Sequence, residues 1–456
     1  MEAADPAGVA GSSPELAVCG DLMVVTGGAK LLAALYKEPG NEDIFIYDCS
    51  TATEKLQQNQ GDDGKSAGEA SNDILACTFS SSGTYFALTD DNKRLILFRT
   101  KPSWECLSVR SVIRRCTSLI ITAAEDKILV ADKSGDVYSY STTEPENAGT
   151  IELGHLSLLL DVALSPDDQY ILTADRDEKI RVSLTRAPHN IVSFCLGHRE
   201  FVSKIFVIPN YPELLLSASG DCTLRLWEYK SGKEVHCCHL SSLSTSEAPP
   251  NEKKYAVSRT AYCCEGNYIA VLYDCLPTVS IFQLDPEAQK LIHKQNIPLI
   301  CKGWAIAFEK TGGLWILQED MQTPLLFYQP VNGQWQSSTE ERGLIKMSKC
   351  IRDNWTAFEG SIGKESCYQN LYKASFDNMA VYLQKKEERL QQRKILLCPE
   401  RRRRAGMDGG GFQTLHKSMV VAPCCPLSTA RRFSAFKLVE TQYLHSEGED
   451  AEEDAF

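Results

Sequence analysis

The residue types best suited to chemistry here are histidines and cysteines, and His236-Cys237-Cys238-His239 sets four metal-ligand side chains in a row. The run lies in a strand-like stretch, where neighbouring side chains point to opposite faces, so the four cannot converge on one ion. The remainder of the 18 cysteines are scattered without any Cys-x-x-Cys. No metal site is expected, and the cysteines read as reduced thiols. His155 and His198 are the candidates for acid–base work. No Gly-x-Ser-x-Gly elbow, phosphate-cradling glycine loop or methyl-donor pocket signature accompanies them. No catalytic residue is assigned, and a hydrolase is the weakest of the readings below.

The neighbours of His198 give it a different task. Gly197-His198 precedes an apolar stretch at 202–208. Residues 214–228 then read Leu-Leu-Leu-Ser-Ala-Ser-Gly-Asp-Cys-Thr-Leu-Arg-Leu-Trp-Glu. A Gly-His pair, an Asp at a tight turn and a Trp-acidic end to an alternating strand form the signature of a WD repeat. His198, Ser217, Asp221 and Trp227 can make one hydrogen-bonded chain that pins the turns of a four-stranded blade and satisfies its own buried polar atoms. One such blade cannot bury its own faces and requires neighbours. Strands aligned with 224–227 recur at 44–48, 95–98, 137–140, 180–183, 279–282 and 325–328, close to the usual period of about 40–45 residues. Blade four keeps His155, Thr173 and Asp177 but carries Ser183 in place of Trp. Blades one, two, six and seven have Tyr or Phe there. Turns such as Ser80-Ser81-Ser82-Gly83 and Ser165-Pro166-Asp167-Asp168 suit type I geometry.

The expected fold is all-β. A seven-bladed WD-repeat β-propeller spans 16–370, a C-terminal helix follows at 371–397, and the ends at 1–15 and 398–456 are disordered. Insertions at 57–72 and 240–254 should be surface loops. The first half of the helix carries an apolar stripe (Leu371, Ala374, Phe376, Met379, Tyr382, Leu383) and should dock, while its charged second half should project.

At 456 residues, 43% hydrophobic and 24% charged, the composition is that of an ordinary globule. A net charge of -12 argues against a chain that coats nucleic acid by itself. The start lacks a basic, apolar leader, and no stretch reaches the roughly 20 apolar residues of a membrane helix. Neither a signal peptide nor a membrane partner is expected.

Two surface features remain. Asp175, Arg176, Asp177, Glu178, Lys179 and Arg181 pack both signs of charge into one tight turn, which can act as a directional docking patch or simply be a solvated turn with Asp177 serving the blade. Lys385, Lys386, Arg389, Arg393 and Lys394, followed by Arg401, Arg402, Arg403 and Arg404, form a basic arm. It suits nuclear import or contact with a phosphate backbone, which would add affinity without sequence choice.

Several strings also resemble a known family. These are Tyr-Phe-Ala-Leu-Thr-Asp-Asp at 85–91, Lys-Arg-Leu-Ile-Leu-Phe-Arg-Thr-Lys-Pro at 93–102, Leu-Val-Ala-Asp-Lys-Ser-Gly-Asp-Val-Tyr-Ser at 129–139 and Leu-Thr-Ala-Asp-Arg-Asp-Glu-Lys-Ile-Arg-Val-Ser at 172–183. Together they closely resemble the WD-repeat, non-catalytic subunit of the tRNA (guanine-N7-)-methyltransferase, over about residues 16–392. The resemblance implies a ring without chemistry that forms a heterodimer with a Rossmann-like catalytic subunit. That subunit uses S-adenosylmethionine, so no cofactor is expected on this chain, and the pair methylates a guanine in the tRNA variable loop. It further implies that Asp175, Arg176, Asp177, Lys179 and Arg181 lie at the interface. Lys179 and Arg181 come foremost, since a partner should answer them with carboxylates. tRNA would be reached through the complex, in the nucleus, with the cytoplasm as an alternative. The acidic end after the glycines at 406–411 departs from the family pattern. A reading of another class is a substrate receptor of a cullin-RING ubiquitin ligase. Residues 215–230 resemble the box that ligase adaptors recognise and close on Lys230, although Tyr229 departs from it.

Overall fold

A computed structural model describes residues 13–37, 43–52, 71–243, 255–373 and 378–396. Most of both expected insertions, the tail and Arg401 to Arg404 lie outside these residues. Short runs rich in β-branched and aromatic residues alternate with Gly, Asp and Asn turns, the pattern of antiparallel strands. They assemble into seven four-stranded antiparallel sheets, each built from consecutive strands. Blades one to seven span 15–48, 74–111, 116–154, 159–195, 202–239, 257–298 and 303–337. The middle strands are buried on both faces, as Leu214, Leu216 and Leu226 of blade five are against Ile269, Val271 and Phe282 of blade six. This is why they read as continuous apolar runs.

Two expectations need correction. The third strand of blade one is Lys30–Leu35, and Ile44–Asp48 is its outermost strand. The third strand (Lys-Leu-Leu-Ala-Ala-Leu) has no aromatic end, so the aligned pattern fell on the following strand. Tyr47 is therefore no counterpart of Trp227. The second concerns helices. A twelve-residue helix α1, Arg342–Asp353, lies inside the span read as all strand. The C-terminal helix α2 is Asn378–Leu396, so Leu371 precedes it in a turn instead of starting it.

The ring closes without exchanging a strand between blades one and seven. Instead, Leu16, Met23, Leu32 and Tyr36 of blade one share a core with Trp304, Trp315 and Phe327 of blade seven. Met347, Cys350 and Ile351 of α1 complete that core with Trp355 and Phe358. Glu309 anchors the seam, accepting from Tyr36 Oη at 2.9 Å and pairing with Lys37 Nζ at 3.1 Å. Burial pushes its carboxyl up, but hydrogen bonds from Thr311, Tyr36 and Lys37 hold it below the usual range.

In a chain-ordered antiparallel ring, one face carries the turns between second and third strands and the links between blades. Residues 354–373 cross that face. Phe358 packs on Gly27 of blade one, where a Cβ would sit 2.6 Å from its ring. Lys302 of the link between blades six and seven donates to Lys364 O at 2.8 Å. Asp274 of blade six accepts from Ser366 Oγ at 2.5 Å and from Cys367 N at 3.0 Å. Tyr368 and Tyr372 then pack on Phe201, each at 5.1 Å between centroids. A second unit, which includes α2, begins at Phe376.

Candidate protein-docking site on blade four

Blade five holds the full polar chain. His198 Nε2 lies 2.7 Å from Ser217 Oγ, His198 Nδ1 lies 3.0 Å from Asp221 Oδ2, and Trp227 Nε1 donates to Ser217 Oγ at 2.8 Å. Burial pushes the Asp221 carboxyl up, and the hydrogen bond and charge of His198, with Thr223, outweigh that and hold it well below the usual range. All four side chains are spent inside the blade, which gives His198 no free nitrogen for acid–base work.

Blade four builds its version from different positions. His155 Nε2 lies 2.7 Å from Thr173 Oγ1, and Nδ1 lies 3.3 Å from Asp175 Oδ2. The acceptor is Asp175, not Asp177 as the spacing suggested. Strand pairing of Thr173 with Arg181 and of Ser217 with Arg225 shows the registers to match, so Asp175 occupies the place of Ser219. Asp90 and Asp132 take the same place in blades two and three. Each of the three carboxylates accepts from the main-chain N–H four residues on, at 3.0, 3.1 and 2.9 Å for Asp90, Asp132 and Asp175. Asp175 is thus buried and committed to the turn. Burial raises its carboxyl, and His155 together with Lys179 brings it below the usual range.

Arg181 is also committed. Its Nε donates to Ser183 Oγ at 2.9 Å, Nη1 to Gly154 O at 3.0 Å and Nη2 to Pro188 O at 2.8 Å. The guanidinium therefore covers the space beside Ser183 where blade five has an indole, and it ties blade three to blade four. Arg176, Asp177 and Lys179 face outward. Arg176 Nε stands 3.6 Å from Asp177 Oδ1 with both about half exposed, and Lys179 Nζ stands 3.6 Å from Asp175 Oδ2.

Beside this turn lies an apolar surface that the sequence reading missed. Ile151 of Thr150–Gly154 and Ile191, Val192 and Phe194 of Ala187–Cys195 are exposed on the outermost strands of blades three and four, and Leu156 and Leu196 are exposed on the following links. Phe194 is the cross-strand partner of Arg181. Leu156 follows His155. The available signal was an outermost strand more apolar than a free edge tolerates.

The remaining candidates fall elsewhere. In blade five, Cys237 Sγ and His239 Nε2 are 3.9 Å apart on one face, while His236 Nδ1 accepts from Leu291 N on the other. Among the described residues no group of side chains could hold a metal ion. Lys385, Lys386 and Arg389 are exposed on α2, and the helix backbone continues through Arg393 and Lys394. Of the expected apolar stripe, Leu371 is buried with Phe201 and Ala256, Met379, Tyr382 and Leu383 are exposed, and Ala374 and Phe376 lie outside the described residues. Within 215–230, Leu224, Leu226, Trp227 and Tyr229 are buried, and Lys230 Nζ lies 5.1 Å over the Tyr170 ring.

Residues 38–152 and 140–322 match the family described as the tRNA methyltransferase TRM82 WD40 domain. The chain is 56% identical over 372 residues to the Bos taurus tRNA (guanine-N(7)-)-methyltransferase non-catalytic subunit WDR4, covering 82% of this chain and 90% of that one. The chain belongs to this family of non-catalytic subunits. The Homo sapiens member is likewise 56% identical, covering 81% and 89%, and the Drosophila mojavensis member wuho is 31% identical, covering 70% and 81%. Among solved structures, a chain of the mitotic checkpoint complex superposes with a TM-score of 0.53 at 12% identity, over 70% of this chain and 88% of that one, which supports the propeller fold alone. As a member of this family the chain is not itself the catalyst, and membership implies a catalytic partner.

Proposed function

We propose that this chain is the scaffold of a heterodimer: it binds and stabilises the catalytic subunit that forms N7-methylguanosine in the tRNA variable loop. The observation that carries this reading is the set of exposed apolar residues on the outermost strands and links of blades three and four, beside the blade-four turn. An apolar patch around Leu156, Phe194 and Leu196 adjoins the charged turn of Arg176, Asp177 and Lys179. An apolar centre with a charged rim is the anatomy of a specific protein interface, the charges fixing register and the apolar core supplying affinity. S-adenosylmethionine and the reaction belong to the catalytic subunit. tRNA is met through the complex, with Lys385, Lys386 and Arg389 of α2 as phosphate contacts, in the nucleus.

Methyl transfer to tRNA should appear when the two subunits are mixed and be absent with this chain alone. Leu156→Asp combined with Phe194→Ala should weaken partner binding by about thirtyfold or more, as expected for residues at an interface centre, without lowering the melting temperature of the isolated ring. Undiminished co-purification of this double variant would remove the patch from the interface.

A further inference from the structure

We infer that Lys373 is a positioning residue for the docking turn: its ion pair with Glu178 holds the blade-four turn in the form a partner meets. The inference rests on the docking reading above. Three observations lead to it.

Glu178 lies at the crest of the turn with φ +75°. That left-handed conformation favours glycine, which blade three places at the same point as Gly135, while blades two and five hold it with Lys93 and Cys222. A glutamate there carries a backbone cost that an interaction of its side chain can offset. The interaction is an ion pair with Lys373 Nζ. The hydrogen bond that Lys373 Nζ donates to Glu178 Oε1 also lifts the Lys373 ammonium above its usual value.

Lys373 arrives on a backbone that is already fixed. Its own N–H donates to Glu200 Oε2 at 3.3 Å. Leu371 is buried with Phe201 and Ala256, and Asp274 holds the chain six and seven residues upstream. Little further ordering is needed to form the pair, which is what lets a surface ion pair contribute at all. Finally, Arg176 and Lys179, the two outward cations, lie within two residues of Glu178 in the same turn. A turn whose crest carboxylate is held by a residue from another segment keeps those cations in one arrangement.

The test uses the full chain and the purified catalytic methyltransferase subunit. Partner Kd is measured for Lys373→Ala, Glu178→Ala, the pair combined, and the charge swap Lys373→Glu with Glu178→Lys. Lys373→Ala should weaken binding about two- to fivefold, the range of an ordered surface ion pair. Glu178→Ala should do the same, the combination should cost no more than either alone, and the swap should recover most of the loss. The melting temperature should stay unchanged, while amide exchange at Glu178 and Lys179 quickens in Lys373→Ala. Leu156→Asp serves as the control on docking. If it weakens binding and Lys373→Ala does not, the positioning role is overturned and the docking site stands. If Lys373→Ala weakens binding and Leu156→Asp does not, the positioning role stands and the apolar patch is dropped. Silence from both overturns both.

Discussion

Asp221 and Asp175 do the same work from different places in their blades, and the comparison shows how finely a side chain's role depends on register. The blade-five chain was legible because His198, Ser217, Asp221 and Trp227 all belong to one signature whose spacing fixes their partners. In blade four the same spacing pointed to Asp177, yet Asp175, at the end of the second strand in the place of Ser219, takes His155 Nδ1, and Asp177 is left in the half-exposed turn beyond it. The pH dependence follows from the depressed carboxyls. A group whose folded pKa lies below its unfolded value, about 3.9 for Asp, contributes stability that is complete above that value and is lost as pH falls through the folded one. The urea midpoint should therefore drop as pH falls below about 4, and Asp221→Asn should flatten that drop while lowering the midpoint at neutral pH. Arg181 likewise has work inside the ring. The family resemblance implies a place at the partner interface, and three hydrogen bonds within the ring also engage its fork. Arg181→Ala should lower ring stability by about 1.5–3 kcal/mol, the range for hydrogen bonds made by a charged group, measured by denaturant unfolding of the isolated chain.

Single elements carried less information than the repeat did. α1 escaped the sequence reading because it is only twelve residues long, with Lys and Arg among Leu344, Met347, Cys350 and Ile351, and it begins next to Gly343. The buried set at 343, 347, 350 and 351 is helical in spacing, but a stripe this short hardly stands out from loop sequence. Its importance comes from what it covers. Phe358, fully buried, stacks near Trp304 and closes over Gly27. Phe358→Ala should cost about 3–5 kcal/mol, as for other buried Phe truncations, and Gly27→Ala should also destabilise because the ring stands in the way of the new methyl. Thermal denaturation of both variants measures this. If neither moves the transition, the helix and the segment after it merely lie on the ring. The apolar outer strand of blade four escaped for another reason: the pattern that marks a strand does not say which of its faces is left uncovered.

At the level of the whole molecule, the seven-fold repetition was readable because each four-stranded unit must bury its faces on its neighbours, and seven evenly spaced strands, most of them with an aromatic end, announced seven units even with one of them misplaced. How the circle shuts was not readable, since closure depends on contacts between residues some three hundred positions apart, such as Tyr36 with Glu309. Most blades lack the Trp-centred chain, so the assembly is held chiefly by apolar packing between sheets and should unfold as one cooperative body. The way it shuts has a consequence for biosynthesis. Both ends of the circle are complete sheets, and the pieces that latch them, α1 and the stretch through Phe358, are the last of the ring to leave the ribosome. A polypeptide ending before residue 341 would possess every blade and still present Leu16, Met23, Trp304 and Trp315 along an open join. Late truncations should therefore behave as failures of folding, captured by chaperones or cleared, although no repeat has been removed.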